Sequence, residues 1–179
     1  MPFPLANASL LPHPDFPAPA VTAIAVAVSR QGGGLSLSYR LQADLAALRL
    51  PTPAAPVEQD RLWAHTCCEV FLARGDAEPY WEYNFSPSGQ WAGYAFAAYR
   101  QRQEGTLPSP ALAWRRSGDT LVLDATLPPA ALPGGPGPLR LALSMVVEMG
   151  DGSLSYWALA HPAPQPDFHH RGGFTLILE

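Results

Sequence analysis

Short stretches of alternating or β-branched apolar residues, separated by glycine-containing turns, recur along most of this 179-residue chain. Such pairs of stretches are typical of β-hairpins, and four are present: 20–30 with 35–42, 81–86 with 90–99, 111–116 with 120–126, and 139–149 with 153–159. Further single strands are expected at 45–50, 62–73 and 174–178, and one helical turn at 128–132. The spacing predicts an all-β chain of about ten strands, in a sandwich or a barrel.

Length and composition favour a single domain over residues 1–179, with 1–19 as an irregular N-terminal segment. An apolar content of 47% suits one full core. The 11 cationic residues are all arginines and are scattered, and the net charge is −4, so no nucleic-acid partner is expected. The absence of lysine excludes a catalytic lysine. The proline-rich stretches are interpreted as loops, because neither flank of any of them is large enough to fold well alone.

The sequence also predicts a cytoplasmic location. The first nineteen residues hold no cation and no sustained apolar run, which is unlike a signal peptide. No apolar stretch approaches the roughly 18 residues of a membrane helix, so no membrane partner is expected. Cys67 and Cys68 are adjacent, and neighbouring residues of a strand point to opposite faces. We therefore expect both thiols to be reduced.

The block from 61 to 99 carries the candidate ligand-binding residues. On the predicted strand 62–73, the two-residue period places Glu69 on one face with four others: Trp63, His65, Cys67 and Phe71. The opposite face is apolar and is expected to meet the core, through Cys68, Val70 and Leu72. On the next strand Glu82 and Asn84 share one face, and the other face is apolar: Trp81, Tyr83 and Phe85.

An outer face with an indole, two carboxylates and an amide suits a sugar. Carboxylates and amides can form paired hydrogen bonds with vicinal hydroxyls, and an indole stacks on the apolar face of a pyranose. The alternative is an ordinary solvated sheet face with exposed aromatics. For Glu82 alone, this alternative is equally favoured.

A second block, residues 161–171, holds three histidines and one aspartate: His161, Asp167, His169 and His170. Its prolines restrict the backbone, so these side chains could form the wall of a ligand pocket. Structural packing of the loop and a metal site are the alternatives. The spacing matches no zinc motif such as HExxH, and no metal or cofactor is expected.

Several short motifs occur in one order: Leu62 with Trp63, CEVFL at 68–72, YWEYNFSP at 80–87, Gly89, Trp91 and Tyr94. With these motifs the chain resembles the family-9 carbohydrate-binding module and the wider DOMON-like superfamily. Residues 156–161 and 166–169 resemble a bacterial stand-alone DOMON-like subgroup. The resemblance implies a jelly-roll-like β-sandwich that binds its ligand on a concave sheet face.

The resemblance also assigns roles. A tryptophan corresponding to Trp63 stacks on the sugar, and residues corresponding to Glu69 and Asn84 bond to its hydroxyls. Where Glu82 stands, the carbohydrate-binding module has an arginine, which is a reversal of charge. Other superfamily members bind haem through methionine and histidine, and here Met145 and Met149 share one face of a predicted strand, although methionine is usually core filler.

We therefore predict a two-sheet antiparallel sandwich that binds a small molecule, a sugar or sugar-like compound, without catalysis. One alternative is a hydrolase or isomerase that uses Glu69 with His161 or His169, or Glu69 with Glu82 as an acid–base pair. Another is a haem- or metal-binding domain. The predicted ligand-binding residues are Trp63, His65, Glu69, Glu82, Asn84, His161, Asp167, His169 and His170.

Overall fold

The computed structural model describes residues 6–179, in which two antiparallel β-sheets pack face to face. The described residues contain thirteen strands: β1 (Ala6–Ser9), β2 (Leu11–Pro12), β3 (Val21–Gln31), β4 (Gly34–Ala43), β5 (Cys67–Arg74), β6 (Tyr80–Phe85), β7 (Trp91–Ala98), β8 (Gln101–Gln103), β9 (Ala111–Ser117), β10 (Thr120–Leu127), β11 (Leu139–Glu148), β12 (Leu154–Ala158) and β13 (Leu176–Leu178). The predicted all-β, two-sheet sandwich is confirmed.

The smaller sheet has the order β1-β3-β4-β10-β9, and the larger has the order β2-β12-β11-β5-β6-β7-β8, with β13 also pairing β11. All four predicted hairpins are present as antiparallel pairs: β3 with β4, β6 with β7, β9 with β10, and β11 with β12. The glycine turn of the first hairpin is also required by packing. A Cβ at Gly34 would lie 2.0 Å from the carbonyl oxygen of Leu127, so only glycine fits there.

Two predicted strands differ from the structure. Residues 45–47 form a 3₁₀ turn, because the Asp44 side chain accepts a hydrogen bond from the backbone N–H of Ala46. Strand β5 begins at Cys67, and Leu62–Ala64 is a second 3₁₀ turn. This 3₁₀ turn is preceded by Arg61, whose left-handed backbone (φ 62°) is incompatible with a continuous β-strand. The predicted helical turn at 128–132 is present as a 3₁₀ turn at Pro129–Ala131.

The segment 1–19, expected to be irregular, contains β1 and β2, which add to the edges of the two sheets. Residues 1–5 of this segment lie outside the described residues. The structure adds one further short strand, β8, after a turn that follows β7. Within residues 6–179, no helix is long and apolar enough to cross a membrane.

The main core lies between the sheets, and the period-two prediction of its members is confirmed. Cys68, Val70 and Leu72 of β5 point into it, as do Tyr83 and Phe85 of β6. A second apolar cluster covers the outer face of the larger sheet, and it includes Cys67, Phe71, Tyr80, Tyr94, Phe96 and Phe174. Cys67 and Cys68 are both free thiols on opposite faces, as predicted. The larger sheet therefore has a packed outer face, unlike an ordinary solvated sheet.

Candidate functional site

A cavity of about 500 Å³ opens on the outer face of the larger sheet. Its floor includes Glu69 and Glu82, from neighbouring strands β5 and β6, and its walls include the rings of Tyr94 and Phe96 from β7. The remaining lining residues come from β8, β11 and β12 and from turns and loops, and they include Trp63, Arg100, Arg102 and a segment of the 161–170 loop. Residues far apart in the sequence therefore meet around two buried carboxyl groups.

Three polar residues form a row across the centre of this sheet. Ser144 of β11 is the register partner of Glu69, and Glu69 is the register partner of Asn84. Their chain neighbours point into the core, so all three side chains point to the outer face. All three are buried, yet the Ser144 hydroxyl, Oε1 of Glu69 and both amide atoms of Asn84 have no hydrogen-bond partner among residues 6–179. Buried polar groups without a protein partner are rare in folded proteins, and a bound water, ion or ligand is the usual explanation for them.

Burial also changes the acidity of the two carboxyl groups. It raises the pKa of Glu69 well above its ordinary value, and the charge of Glu82 raises it further. Burial raises the pKa of Glu82 to about 7, against the opposing charges of Arg100 and Arg102. Burial therefore favours the protonated form of Glu69, and at neutral pH Glu82 is close to its midpoint of titration.

His169 stands beside this pair. Its Nδ1 lies 2.8 Å from the hydroxyl of Tyr80, and its Nε2 lies 3.7 Å from Oε2 of Glu82. The ring packs edge-on against Phe71 and Phe96, with centroid distances of 5.0 Å to each. Burial, followed by the charge of Arg100, lowers the pKa of His169 to about 4. The imidazole is therefore neutral at physiological pH.

Asp167 holds the loop that carries His169. Its carboxylate accepts hydrogen bonds from the Tyr99 hydroxyl at 2.5 Å, from Nη2 of Arg100 at 2.9 Å and from the backbone N–H of His169 at 3.1 Å. Burial acts to raise the pKa of Asp167, but these hydrogen bonds and the charge of Arg100 outweigh it and lower the pKa. Asp167 thus fixes the cavity wall from behind and does not line the cavity.

The rim of the cavity is aromatic and charged. Trp63 is 47% exposed, and the guanidinium of Arg61 lies 5.7 Å from the centre of its ring. The guanidinium of Arg102 lies over the ring of Tyr94 at 4.2 Å, and the Tyr94 hydroxyl donates to the carboxylate of Asp60. An exposed indole at the mouth of a cavity is available for stacking on a ligand.

The predicted residues are only partly brought together. Trp63, Glu69, Glu82 and His169 line the cavity, and Asn84 lies beside Glu69 in the sheet. His65 does not share the face of Glu69, because the strand begins at Cys67. Its Nδ1 instead lies 2.8 Å from Oε2 of Glu148.

Two more predicted ligand-binding residues lie elsewhere. His161 does not line the cavity, and its Nε2 lies 2.8 Å from the carbonyl oxygen of Leu11. Nδ1 of His170 accepts from the backbone N–H of Gly172 and so caps the 3₁₀ turn Arg171–Gly173. Conversely, Asp60, Arg100 and Arg102 were not predicted from the sequence. Asp60 and Arg100 stand in turns, and Arg102 is the middle residue of β8, which is too short to show a periodic pattern.

The positions bear differently on each alternative. The enzyme hypothesis paired Glu69 with His161, His169 or Glu82, and His169 and Glu82 line the same cavity as Glu69, whereas His161 does not. The haem hypothesis used Met145 and Met149, and both are buried in the core between the sheets. Within residues 6–179, no group of three or more histidine, cysteine, aspartate or glutamate side chains is placed to hold a metal ion.

No protein-family model and no curated protein matches this chain. Among solved structures, the chain is similar to a putative carbohydrate-binding protein from Bacteroides uniformis ATCC 8492, with a TM-score of 0.69 and 15% sequence identity. The similarity covers 94% of this chain and 84% of that chain. At this level of identity the likeness concerns the fold, so this chain shares its β-sandwich fold with that protein.

Proposed function

We propose that this chain is a non-catalytic binding domain for a sugar or sugar-like small molecule, held in the cavity on the outer face of the larger sheet. The observation that carries this proposal is the row of buried polar groups at Glu69 and Asn84 that lack partners. Each orphaned group costs roughly 1–3 kcal/mol. A ligand rich in hydroxyls offers both donors and acceptors, so it would satisfy several of these groups at once.

The size and walls of the cavity support a small ligand. Its volume of about 500 Å³ lies within the range of small-molecule sites. Trp63 at the rim and Tyr94 and Phe96 in the wall offer aromatic surface to the C–H groups of a pyranose. The combination of apolar walls with a few buried polar groups is the usual composition of such a site.

The resemblance to the family-9 carbohydrate-binding module supports the same ligand class. In that family, residues corresponding to Trp63, Glu69 and Asn84 contact the sugar. Glu82 stands where the module has an arginine, but Arg100 and Arg102 are close enough to Glu82 to lower its pKa. These two arginines could supply the missing cation from a different position. The similar Bacteroides uniformis protein, described as putatively carbohydrate-binding, also supports the proposal.

The same resemblance supports two finer assignments, a DOMON-like identity and a jelly-roll type of sandwich. Separately, we propose a cytoplasmic location, with which the free thiols of Cys67 and Cys68 are compatible.

Isothermal titration calorimetry of the full chain against a panel of mono- and disaccharides tests the proposal. We expect binding of at least one sugar, and Trp63→Ala should remove most of it, because stacking aromatics dominate the energy of such sites. Trp114→Ala is the matched control, since Trp114 is also partly exposed but lies on β9 of the smaller sheet. It should leave the affinity unchanged.

The proposal fails if a folded sample gives no heat with any sugar of the panel. It also fails in its assignment of the site if Trp114→Ala weakens binding as much as Trp63→Ala does.

A further inference from the structure

A chain of hydrogen bonds runs behind the cavity to His169. The backbone N–H of Arg100 donates to the Tyr80 hydroxyl oxygen at 3.1 Å. A backbone N–H can only donate, so the hydrogen of the Tyr80 hydroxyl remains available for its other neighbour, Nδ1 of His169, at 2.8 Å. When the Tyr80 hydroxyl donates to Nδ1, the neutral imidazole carries its proton on Nε2, the atom that faces Glu82.

The hydrogen-bonding groups of His169 and Glu82 limit which ligand group can bind to both. Nε2 of His169 and Oε2 of Glu82 are 3.7 Å apart, which is too long for a direct hydrogen bond. One group between them can accept from Nε2–H and donate to the carboxylate. A hydroxyl does both, whereas an ammonium has no acceptor for Nε2–H.

We propose that Tyr80 and Arg100 fix His169 as the Nε2–H tautomer, so that His169 and Glu82 together select a ligand hydroxyl over an ammonium. Tyr80 and Arg100 are positioning residues in this scheme, because neither the Tyr80 hydroxyl nor the Arg100 N–H is offered to the ligand. The selection rests on the proposed function. The tautomer is a property of the protein alone and can be measured without a ligand.

The opposite tautomer would reverse the preference. With the proton on Nδ1, the Nε2 lone pair and the Glu82 carboxylate would present two acceptors to the same point, which suits an ammonium. The charged groups around His169 are Glu82, Arg100 and Asp167, and its other neighbours are aromatic rings. Among these contacts, the Tyr80 hydroxyl alone touches Nδ1.

Long-range ¹H–¹⁵N NMR of the labelled full chain at about pH 8 distinguishes the two neutral tautomers. His170 is an internal reference for the Nε2–H form, because its Nδ1 accepts from Gly172. His65 is the reference for the Nδ1–H form, because its Nδ1 donates to Glu148. His169→Gln assigns the signal. We expect His169 to match His170 in the wild-type protein.

Tyr80→Phe should then shift His169 to a mixture of tautomers, while keeping the ring that stacks on Phe96 at 4.8 Å. Tyr83→Phe is the matched control. It removes a hydroxyl from the same strand, but that hydroxyl donates to Pro108 on the other face. The proposal is overturned if wild-type His169 shows the Nδ1–H pattern or a mixture, or if Tyr80→Phe leaves the Nε2–H pattern unchanged.

Calorimetry at about pH 7 tests the selection, with glucose and the amino-deoxyglucoses in which each hydroxyl in turn is replaced by an ammonium. One analogue should bind roughly tenfold more weakly than glucose, and Tyr80→Phe should reduce that preference while Tyr83→Phe preserves it. Equal binding of all analogues would overturn the selection. If no sugar binds while His169 keeps the expected tautomer, the proposed function and the selection both fail, and the tautomer assignment stands.

Discussion

Replacing Glu82 by glutamine should change how the free energy of unfolding depends on pH. The pKa of Glu82 is about 7 in the folded protein, against an ordinary value of 4.5. The unfolded chain therefore releases this proton between pH 4.5 and 7 while the folded chain still holds it. The contribution to stability is fully present below pH 4.5 and is lost as the pH rises through 7.

The magnitude follows from these two values. At 1.36 kcal/mol per pH unit, the difference between about 7 and 4.5 corresponds to about 3 kcal/mol. The Glu82→Gln variant does not undergo this pH-dependent loss of stability. The free energy of unfolding of the variant, relative to that of the wild-type protein, should therefore rise by about 3 kcal/mol from pH 4.5 to pH 8. The pKa of Glu69 should also fall in the variant, because the charge of Glu82 raises it, and this acts in the same direction.

His169 has the opposite effect, which is why the difference between two proteins must be measured. Its pKa is lowered from 6.5 to about 4, so its contribution is present above pH 6.5 and is lost as the pH falls towards 4. In the wild-type protein, the contribution of His169 between pH 4.5 and 6.5 opposes those of Glu82 and of Glu69, whose pKa is also raised. The wild-type profile alone therefore does not isolate the effect of Glu82.

Urea unfolding followed by tryptophan fluorescence, repeated across the pH range, gives the required free energies. Glu78→Gln is the control, since it makes the same substitution at an exposed position. A constant difference for Glu82→Gln from pH 4.5 to 8, or one that falls, would refute the assignment of a buried carboxyl with a raised pKa.

Two further substitutions test the supports of the site. Tyr39→Phe should lower the free energy of unfolding by about 1–3 kcal/mol, because the buried Tyr39 hydroxyl donates to the carbonyl oxygen of Glu69 at 2.6 Å. Urea unfolding measures this, and an unchanged stability would contradict it. Asp167→Ala should release the cavity wall and speed amide hydrogen exchange in residues 161–171, and unchanged exchange there would show that Asp167 does not hold the loop.

Part of this site could be predicted from the sequence. Alternation along 67–73 and 81–85 was enough to put Glu69, Glu82 and Asn84 on the face opposite the core, because the side-chain period of a strand is two. The turn residues were enough to predict the four hairpins, because glycine-containing turns specify local reversals of the chain. Strand alternation and turn residues are both properties of a few neighbouring residues, so they can be recognised without knowledge of the tertiary structure.

The residues around that face could not be predicted in this way. From the period-two pattern, the strand was predicted to include Trp63 and His65. In the structure, Arg61 has a left-handed backbone and a 3₁₀ turn follows it, so the strand begins only at Cys67. The row from Ser144 to Glu69 joins β11 to β5, which are distant in the chain, and their pairing depends on how the whole sheet assembles.

The sequence by itself determined the all-β class, the four hairpins and the direction in which Glu69, Glu82 and Asn84 point. The tertiary structure decided that His169 reaches Glu82 while His161 and His170 do not, because the loop is held by Asp167 on Tyr99 and Arg100. It also decided that the carboxyl groups are buried enough to raise their pKa. Periodicity is a local property of a chain, whereas burial and the meeting of a loop with a sheet depend on contacts between distant segments.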